Sequence, residues 1–291
     1  MILGFPDSHR QAAAVAQALA LPYVEVGVHH FPDGESRITL PECSGDHIVV
    51  VRSLDRPNDK LVEVLLLTRA LRERGVLRLT LVAPYLCYMR QDKAFHKGEL
   101  ISQKLLGAWI AETFEDVITV DPHLHRIDRL DDAVPAKNAV AISAAPLFAR
   151  HLQELRGEFL VLGPDAESGQ WVRAIAEPVG FPYAVAKKRR HGDREVDIEL
   201  PRSITLRGRS VVLVDDVASS GSTLIKAVEK VTSLGAEEVR VLVTHPVFAG
   251  NAVDELYRHG VAAVGSSDSI VHPTNCVALA PILSEALRAL L

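Results

Sequence analysis

The chain alternates short, continuous apolar runs with longer segments in which apolar residues recur at every third or fourth position. A continuous apolar run suits a strand that is covered on both faces, and the longer spacing is typical of amphipathic helices. The predicted strands are residues 48–51, 79–83, 117–120, 159–162, 211–214 and 239–243. The predicted helices are residues 60–74, 102–114, 145–155, 170–176 and 222–234. This alternation predicts an α/β fold with a mainly parallel sheet.

One layout occurs twice in the chain. Residues 48–84 and 210–246 each contain a strand, a short loop, an amphipathic helix, a glycine, a second strand and a proline. The two spacings agree to within about three residues, which indicates an internal repeat. The sequence therefore predicts two similar domains, residues 1–143 and 144–291. The alternative that any two strand–helix–strand units look alike at this level remains open.

Composition narrows the class of protein. The 291 residues are 48% hydrophobic, 24% charged and 5% aromatic, a profile typical of α/β proteins. The net charge of -5 argues against nucleic acid as the main partner, because binding a phosphate backbone needs a basic face. No apolar stretch approaches the roughly 18 residues that span a bilayer, and the three cysteines are too scattered for a disulfide framework. We therefore expect a cytoplasmic protein without a membrane or nucleic-acid partner.

The segment VVLVDDVASSGSTL, residues 211–224, places two carboxylates at the end of a predicted strand. In an open α/β sheet ligands bind beyond the carboxyl ends of the strands, so Asp215 and Asp216 lie where a ligand is expected. The small residues that follow let backbone amides approach an anion, and a helix that begins at Ser222 or Thr223 favours phosphate. The segment therefore fits a sugar-phosphate site, and it also fits an acidic turn followed by a helix cap.

Four other segments carry candidate chemistry. FPDGE, residues 31–35, taken alone favours a surface turn. Arg90, in YMRQDK, offers a planar fork of donors that suits a nucleotide triphosphate, although a solvated surface charge fits equally well. His123, in TVDPHLHR, lies near a strand end without a further cluster of metal ligands, and KKRR, residues 187–190, taken alone favours a solvated face.

Together these segments resemble the ribose-phosphate diphosphokinase family, also called PRPP synthetases. Residues 211–224 are similar to the signature loop of type I phosphoribosyltransferases as well. The segments that match this family, in its order and over nearly the whole chain, are residues 31–42, 83–107, 119–128, 163–176, 187–199, 211–224 and 272–281. The resemblance implies two tandem phosphoribosyltransferase-like domains, each a mainly parallel sheet flanked by helices.

The resemblance also implies a role for individual residues. It assigns ATP binding to Phe31, Asp33, Gly34, Glu35, Arg90 and Gln91, with the loop 31–35 contributed by a neighbouring subunit. It assigns ribose 5-phosphate binding to Asp215, Asp216, Ser219, Ser220, Gly221, Ser222 and Thr223. It assigns catalysis to Lys188 and Arg190 on a mobile flap, and Mg²⁺ binding to His123 and Asp165. A homo-oligomer with a shared ATP site follows from these assignments.

The activity implied is transfer of diphosphate from Mg-ATP to C1 of ribose 5-phosphate, giving 5-phosphoribosyl 1-diphosphate and AMP. A phosphoribosyltransferase would share the loop 211–224 but would not need the segments around Phe31 and Arg90. A non-catalytic regulatory homologue would lose the flap residues, whereas Lys188 and Arg190 are present. Ser219 stands where many members carry an acid. Members of archaeal type resemble this chain at that position and in the DKAFHKGE segment, residues 92–99.

Overall fold

The computed structural model describes residues 1–43, 45–124, 129–155, 157–191, 195–201 and 204–291, with the backbone alone for residues 188–191 and 195–198. The chain forms two compact units. The first contains Met1–Ile142, Ser269–Val271 and Leu279–Leu291, and the second contains Ser143–Asp268 and His272–Ala278. The domain boundary after residue 143 stays a prediction, and the structure adds that the last helix belongs by its contacts to the first unit.

The first unit is a parallel sheet flanked by helices. Its elements are β1 (Ile2–Gly4), α1 (His9–Leu19), β2 (Tyr23–Glu25), β3 (Gly27–His30), β4 (Ser36–Thr39), β5 (His47–Val51), α2 (Pro57–Glu73), β6 (Arg78–Ala83), α3 (Ser102–Thr113), β7 (Asp116–Val120), α4 (Leu130–Ala133), β8 (Asn138–Ile142) and, from the end of the chain, α9 (Ala280–Arg288). The strands pair in parallel in the order β2-β1-β5-β6-β7-β8. Strands β3 and β4 form a separate antiparallel hairpin.

The second unit repeats this arrangement. Its elements are α5 (Ala145–Glu154), β9 (Phe159–Gly163), α6 (Gly169–Ala176), β10 (Tyr183–Val185), β11 (Lys187–His191), β12 (Glu195–Glu199), β13 (Ser210–Ala218), α7 (Ser222–Ser233), β14 (Glu238–Pro246), α8 (Ala252–Arg258), β15 (Ala263–Ser267) and β16 (Asn275–Val277). The parallel order is β10-β9-β13-β14-β15-β16, and β11 with β12 forms a separate antiparallel hairpin.

The two sheets share one topology. When the hairpins are set aside, the strands of each sheet follow the order 2-1-3-4-5-6, counted along the chain. In each unit the hairpin is inserted between the second and third of these strands. The predicted fold of two tandem α/β domains, each a mainly parallel sheet flanked by helices, is confirmed. The repeat is one of topology, so it extends beyond the short segments in which the sequence shows it.

Continuous burial explains why the apolar runs form these strands. Ile48, Val49, Val50 and Val51 of β5 are all fully buried. Successive side chains of a strand point to opposite faces, so complete burial means that both faces of the sheet are covered. Helix α2 begins with Pro57 in its first turn, three residues earlier than the spacing of apolar residues predicts. In the described part of the chain, no helix combines the length and apolar character needed to cross a bilayer.

Strand β13 extends further than its apolar run predicts. It continues through both aspartates to Ala218, because β14 is equally long and keeps pairing with it. In this extension Asp215 pairs with Val243, and Ala218 pairs with Pro246. The two carboxylates are therefore held on a hydrogen-bonded strand, and the loop begins only after them.

Candidate active site

Asp215 and Asp216 occupy successive positions near the carboxyl end of β13. Asp216 is buried and Asp215 is half-buried. The backbone amide of Asp216 donates to Oδ1 of Asp215 at 3.1 Å, and the amide of Val217 donates to Oδ1 of Asp216 at 2.7 Å. Because neighbouring side chains of a strand project to opposite faces, the two carboxylates present acceptors on both sides of the strand end.

A third carboxylate lies close enough to affect the first two electrostatically. Burial raises the pKa of Asp215 well above its ordinary value of 3.8, and the charges of Asp216 and Asp165 raise it further. Asp165 follows β9, the strand that pairs with β13 on one side. The carboxyl ends of these two strands therefore gather negative charge, which a bound cation or the hydroxyl groups of a sugar would offset.

Backbone contacts fix the position of Asp165. Its Oδ1 accepts hydrogen bonds from the amides of Glu167 at 3.1 Å and Ser168 at 3.3 Å, and the Ser168 hydroxyl donates to its carbonyl oxygen at 2.6 Å. A Cβ atom at Gly163 would lie 2.1 Å from Oγ of Ser168, so the turn requires glycine there. The sequence pattern did not single out Gly163 or Ser168. Their signal is a glycine at a strand end, followed by an Asp and a Ser three residues apart.

The loop after β13 leads directly into helix α7. Gly221 has a φ of +73°, a left-handed backbone conformation that residues with a side chain rarely adopt. Helix α7 begins at the next residue, Ser222. The hydroxyls of Ser220 and Ser222 lie 3.1 Å apart, and the carbonyl of Ser219 accepts from the amide of Ala249 at 3.0 Å. One strand, loop and helix thus bring together all the residues expected to bind ribose 5-phosphate: Asp215, Asp216, Ser219, Ser220, Gly221, Ser222 and Thr223. The amides at a helix start are suited to a phosphate group.

In the first unit, residues 31–35 form the tip of the β3–β4 hairpin. The amide of Phe31 donates to the carbonyl of Glu35 at 2.8 Å, and the amide of Gly34 donates to the carbonyl of Phe31 at 3.0 Å. Gly34 has a φ of +94°, and Oδ1 of Asp33 accepts from the amide of Glu35 at 3.2 Å. The Phe31 ring is 39% exposed and meets His29 edge to face, with ring centroids 4.8 Å apart. An exposed aromatic ring on an ordered turn can stack against a base.

Arg90 and Gln91 lie in the segment between β6 and α3. Arg90 is exposed. Oε1 of Gln91 accepts from the amide and the hydroxyl of Ser102, at 3.2 and 2.5 Å, and its Nε2 donates to the carbonyl of Leu100 at 2.5 Å. The side-chain amide of Gln91 therefore supports the start of α3, a structural contact that the sequence did not predict. Its role toward ATP stays a prediction.

The residues expected to bind Mg²⁺ belong to different units, His123 to the first and Asp165 to the second. His123 is half-buried, two residues beyond Asp121, whose φ is +36°. Within the described ranges, no group of three or more His, Cys, Asp or Glu side chains is arranged to hold a metal ion. Mg²⁺ typically keeps several of its waters and needs few protein ligands, so carboxylates such as Asp165 suit it in kind.

The expected catalytic residues lie on the second hairpin. In β11, Lys188 pairs with Ile198 of β12 and Arg190 pairs with Val196. The side chains of Lys188 and Arg190 lie outside the described residues, so their catalytic roles stay predictions. The hairpin occupies the same place in the second topology as the β3–β4 hairpin does in the first.

Comparisons with family models and known proteins cover both units. The model described as the N-terminal domain of ribose phosphate pyrophosphokinase matches residues 1–113, and a phosphoribosyl transferase domain model matches residues 132–269. A solved structure of phosphoribosylpyrophosphate synthetase from Mycobacterium smegmatis superposes with a TM-score of 0.82 at 22% identity, covering 100% of this chain and 98% of that one. This likeness supports the fold.

Relatives with curated names extend the match over the full length. Ribose-phosphate pyrophosphokinase from Thermococcus kodakarensis is 35% identical over 280 residues, which cover 96% of this chain and 95% of the relative. The protein of the same name from Bradyrhizobium diazoefficiens is 33% identical over 276 residues, covering 93% and 85%. Many of the relatives are archaeal, in agreement with the expected subgroup. With this identity sustained through both units, the chain belongs to the ribose-phosphate pyrophosphokinase family.

Proposed function

We propose that the protein transfers the β,γ-diphosphoryl group of Mg-ATP to the C1 hydroxyl of ribose 5-phosphate, releasing AMP and 5-phosphoribosyl 1-diphosphate. The observation that carries this proposal is the strand, loop and helix of residues 210–233, in which two carboxylates stand beside an anion-binding helix start. Membership of the family supports the reaction, because the relatives are named ribose-phosphate pyrophosphokinases.

Ribose 5-phosphate is proposed to bind along this segment. The amides and hydroxyls of residues 219–223 hold the 5-phosphate, since the loop around Gly221 has little side-chain bulk. Asp215 and Asp216 accept hydrogen bonds from ribose hydroxyls. This arrangement fixes the sugar with its anomeric carbon at the end of the sheet.

ATP is proposed to bind through Phe31, Asp33, Gly34, Glu35, Arg90 and Gln91. The Phe31 ring contacts the adenine, and the exposed Arg90 binds phosphate oxygens in a bidentate manner. We propose that the loop 31–35 comes from a neighbouring subunit, which makes the protein a homo-oligomer with shared ATP sites. The proposed location is the cytoplasm, where both substrates occur.

In the proposed reaction, the C1 oxygen bonds to the β-phosphorus while the bond from that phosphorus to the bridging α,β-oxygen breaks. AMP leaves with the electron pair, and the hydroxyl proton passes to solvent. Lys188 and Arg190 offset the charge that builds up on the transferred group. His123 and Asp165 are the residues that would hold Mg²⁺, which would supply positive charge to offset that of the phosphates.

The activity is tested with purified protein, Mg-ATP and ribose 5-phosphate by following AMP. We expect AMP formation that depends on ribose 5-phosphate, and a fall of about 10²-fold or more in kcat for Lys188→Ala. Lys137→Ala, which removes an exposed lysine of the first unit, is the control and should retain activity. Absence of AMP from the wild-type reaction, or a wild-type rate in Lys188→Ala, would contradict the proposal.

The shared site is tested by mixing two inactive variants. Phe31→Ala removes the nucleotide ring contact, and Lys188→Ala removes a flap cation. In a hetero-oligomer with shared sites, some sites combine an intact loop with an intact flap, so activity should return on co-expression. If the loop acts within its own subunit, the mixture stays as inactive as the separate variants.

A further inference from the structure

Glu63 of helix α2 holds both strands of the β3–β4 hairpin at the point where its tip begins. The Glu63 side chain is 1% exposed, and its Oε1 accepts from Nε2 of His30 at 2.8 Å and from the Ser36 hydroxyl at 2.7 Å. His30 and Ser36 face each other across the hairpin. They are also the residues that directly precede and follow the tip, residues 31–35. One carboxylate oxygen therefore joins the two ends of the tip.

The other oxygen of Glu63 is anchored inside the first unit. Oε2 accepts from a terminal nitrogen of Arg52 at 2.5 Å, and the Arg52 side chain is 5% exposed. The Arg52 guanidinium lies 3.8 Å from the ring centroid of Phe5, which is fully buried. Arg52 directly follows β5, so its contact with Glu63 fixes the position of Glu63 relative to the sheet of the first unit. The carboxylate thus connects the hairpin tip to a rigid part of the unit.

Packing alone does not hold this part of the hairpin. Val28 and Ile38, further from the tip, pack against the hydrophobic core. Nearer the tip, a cavity of about 230 Å³ is lined mostly by charged and polar residues, among them His30 and Glu63, with Pro6 and Val28 as its apolar lining. An isolated two-stranded hairpin is only marginally stable. Hydrogen bonds to a buried carboxylate, which are stronger than those between neutral groups, therefore set the position of the tip.

We propose that Glu63 is a positioning residue for nucleotide binding, acting through His30 and Ser36 to place the loop 31–35. The inference rests on the proposed function, in which this loop binds ATP. The proposal explains why α2 carries a charged residue on its buried face. Glu63 holds the Phe31 ring and the amides of the turn in the conformation that binds the nucleotide. Loss of the two contacts frees the tip without disturbing the Glu63–Arg52 pair.

The experiment removes the two hairpin contacts and leaves Glu63 in place. The double variant His30→Ala/Ser36→Ala should raise KM for ATP by about tenfold, because the freed tip must then be ordered as the nucleotide binds. KM for ribose 5-phosphate should stay close to the wild-type value, whereas the melting temperature should fall, because Oε1 of the buried Glu63 loses both of these donors. Ser36→Thr keeps a hydroxyl donor and His30→Gln keeps an N–H donor, so these conservative variants should restore ATP affinity.

Thr39→Val provides the matched control. It removes an exposed hydroxyl from the same strand while keeping a β-branched side chain, and it should leave KM for ATP unchanged. The inference is overturned if the wild type forms AMP and the double variant has the wild-type KM for ATP. Equal increases in both KM values would also overturn it, because that result indicates general damage. Failure of the proposed function is separate, since it is seen as absence of AMP from the wild type.

Discussion

Asp165 follows strand β9, and Asp215 lies near the carboxyl end of β13, which pairs with β9 in parallel. The two carboxyl groups therefore lie at the same end of the second sheet, where they interact electrostatically. Burial is the largest cause of the raised pKa of Asp215, followed by the charges of Asp216 and Asp165. The folded protein therefore holds this proton more tightly than the unfolded chain does. Ionisation of Asp215 costs stability, so stability decreases as the pH rises from about 3.8 through the raised pKa.

The first prediction concerns Asp215→Asn. Asparagine removes the repelled charge but keeps an oxygen that can accept from the amide of residue 216. We expect a higher melting temperature than wild type at pH 7, together with a loss of about 10²-fold or more in kcat/KM for ribose 5-phosphate. The gain in melting temperature should disappear below pH of about 3.8, where the wild-type carboxyl is protonated too. A variant less stable than wild type at pH 7 would contradict the proposed repulsion.

The second prediction compares two glycines at opposite ends of α7. Gly221 and Gly235 have φ angles of +73° and +88°, and an added Cβ meets only ordinary contacts at either site. Gly221→Ala and Gly235→Ala should therefore cost similar stability, about 1–2 kcal/mol each in urea unfolding. Only Gly221→Ala should raise KM for ribose 5-phosphate. Equal KM values for ribose 5-phosphate in the two variants would show that Gly221 is not part of the proposed phosphate site.

The third prediction concerns the stability that the Glu63–Arg52 pair provides. Glu63→Ala removes the closest carboxylate partner of the buried Arg52 guanidinium and leaves the contact with Asp7 at 3.4 Å, which should cost about 3 kcal/mol. Glu63→Gln keeps one acceptor oxygen and replaces the other with an amide nitrogen of similar size, so it should cost less. Free energies of unfolding from urea titrations at pH 7 distinguish the two variants. A loss of under about 1 kcal/mol for Glu63→Ala would show that the pair is not a stabilising contact.

The same carboxylate predicts a pH dependence of opposite sign to that of Asp215. Burial alone would raise the pKa of Glu63, but hydrogen bonds from Ser36, Arg52 and His30 and the charge of Arg52 outweigh it, so the pKa lies below 4.5. The ionised group therefore stabilises the fold above pH of about 4.5, and this contribution is lost as the pH falls through the lowered pKa. The stability difference between wild type and Glu63→Gln should shrink over that range. A stability difference between wild type and Glu63→Gln that does not change with pH would contradict this prediction.

The fourth prediction tests which unit contains α9. Leu283 is fully buried on this helix, and Glu285 is exposed on its outer side. Leu283→Ala should cost about 2–5 kcal/mol, and Glu285→Ala should cost almost nothing. Hydrogen exchange should show faster opening in the first unit of Leu283→Ala and unchanged protection in the second. Faster exchange confined to the second unit would contradict the division of the chain.

The sequence predicts the central strands because their signal is local. The apolar run of β5 is fully buried, and a run of that kind can be recognised without knowing its neighbours. The β3–β4 hairpin is different, since its residues, GVHH and SRIT, are largely polar and partly exposed. It owes its place to contacts with α2, in which Glu63 lies 33 positions beyond His30 and 27 beyond Ser36. The pattern of apolar and polar residues within the hairpin does not reveal its contacts with a distant helix.

The candidate site divides in the same way. Asp215 and Asp216 could be found from the residues alone, because a pair of acids at a strand end is a local feature. Asp165 was predicted as a site residue only from the family resemblance. Its electrostatic interaction with Asp215 depends on the pairing of β9 with β13, which the sequence does not show. Glu63 was missed, although it shares an inward stripe of α2 with Leu67 and Leu71 at spacings of four residues. An acid on such an apolar stripe is the signal that could have indicated it.

The position of α9 has a consequence for how the protein is made. Helix α9 packs against α1, and Arg288 donates to the carbonyl of Ala18 at 3.3 Å. During translation the ribosome completes the second unit, which ends at Ala278, before it adds the helix that covers α1. The unit whose synthesis starts first is thus the last to be finished. The surface of α1 that α9 covers is therefore exposed for longer in the nascent chain, and transiently exposed apolar surface makes a folding chain prone to aggregation.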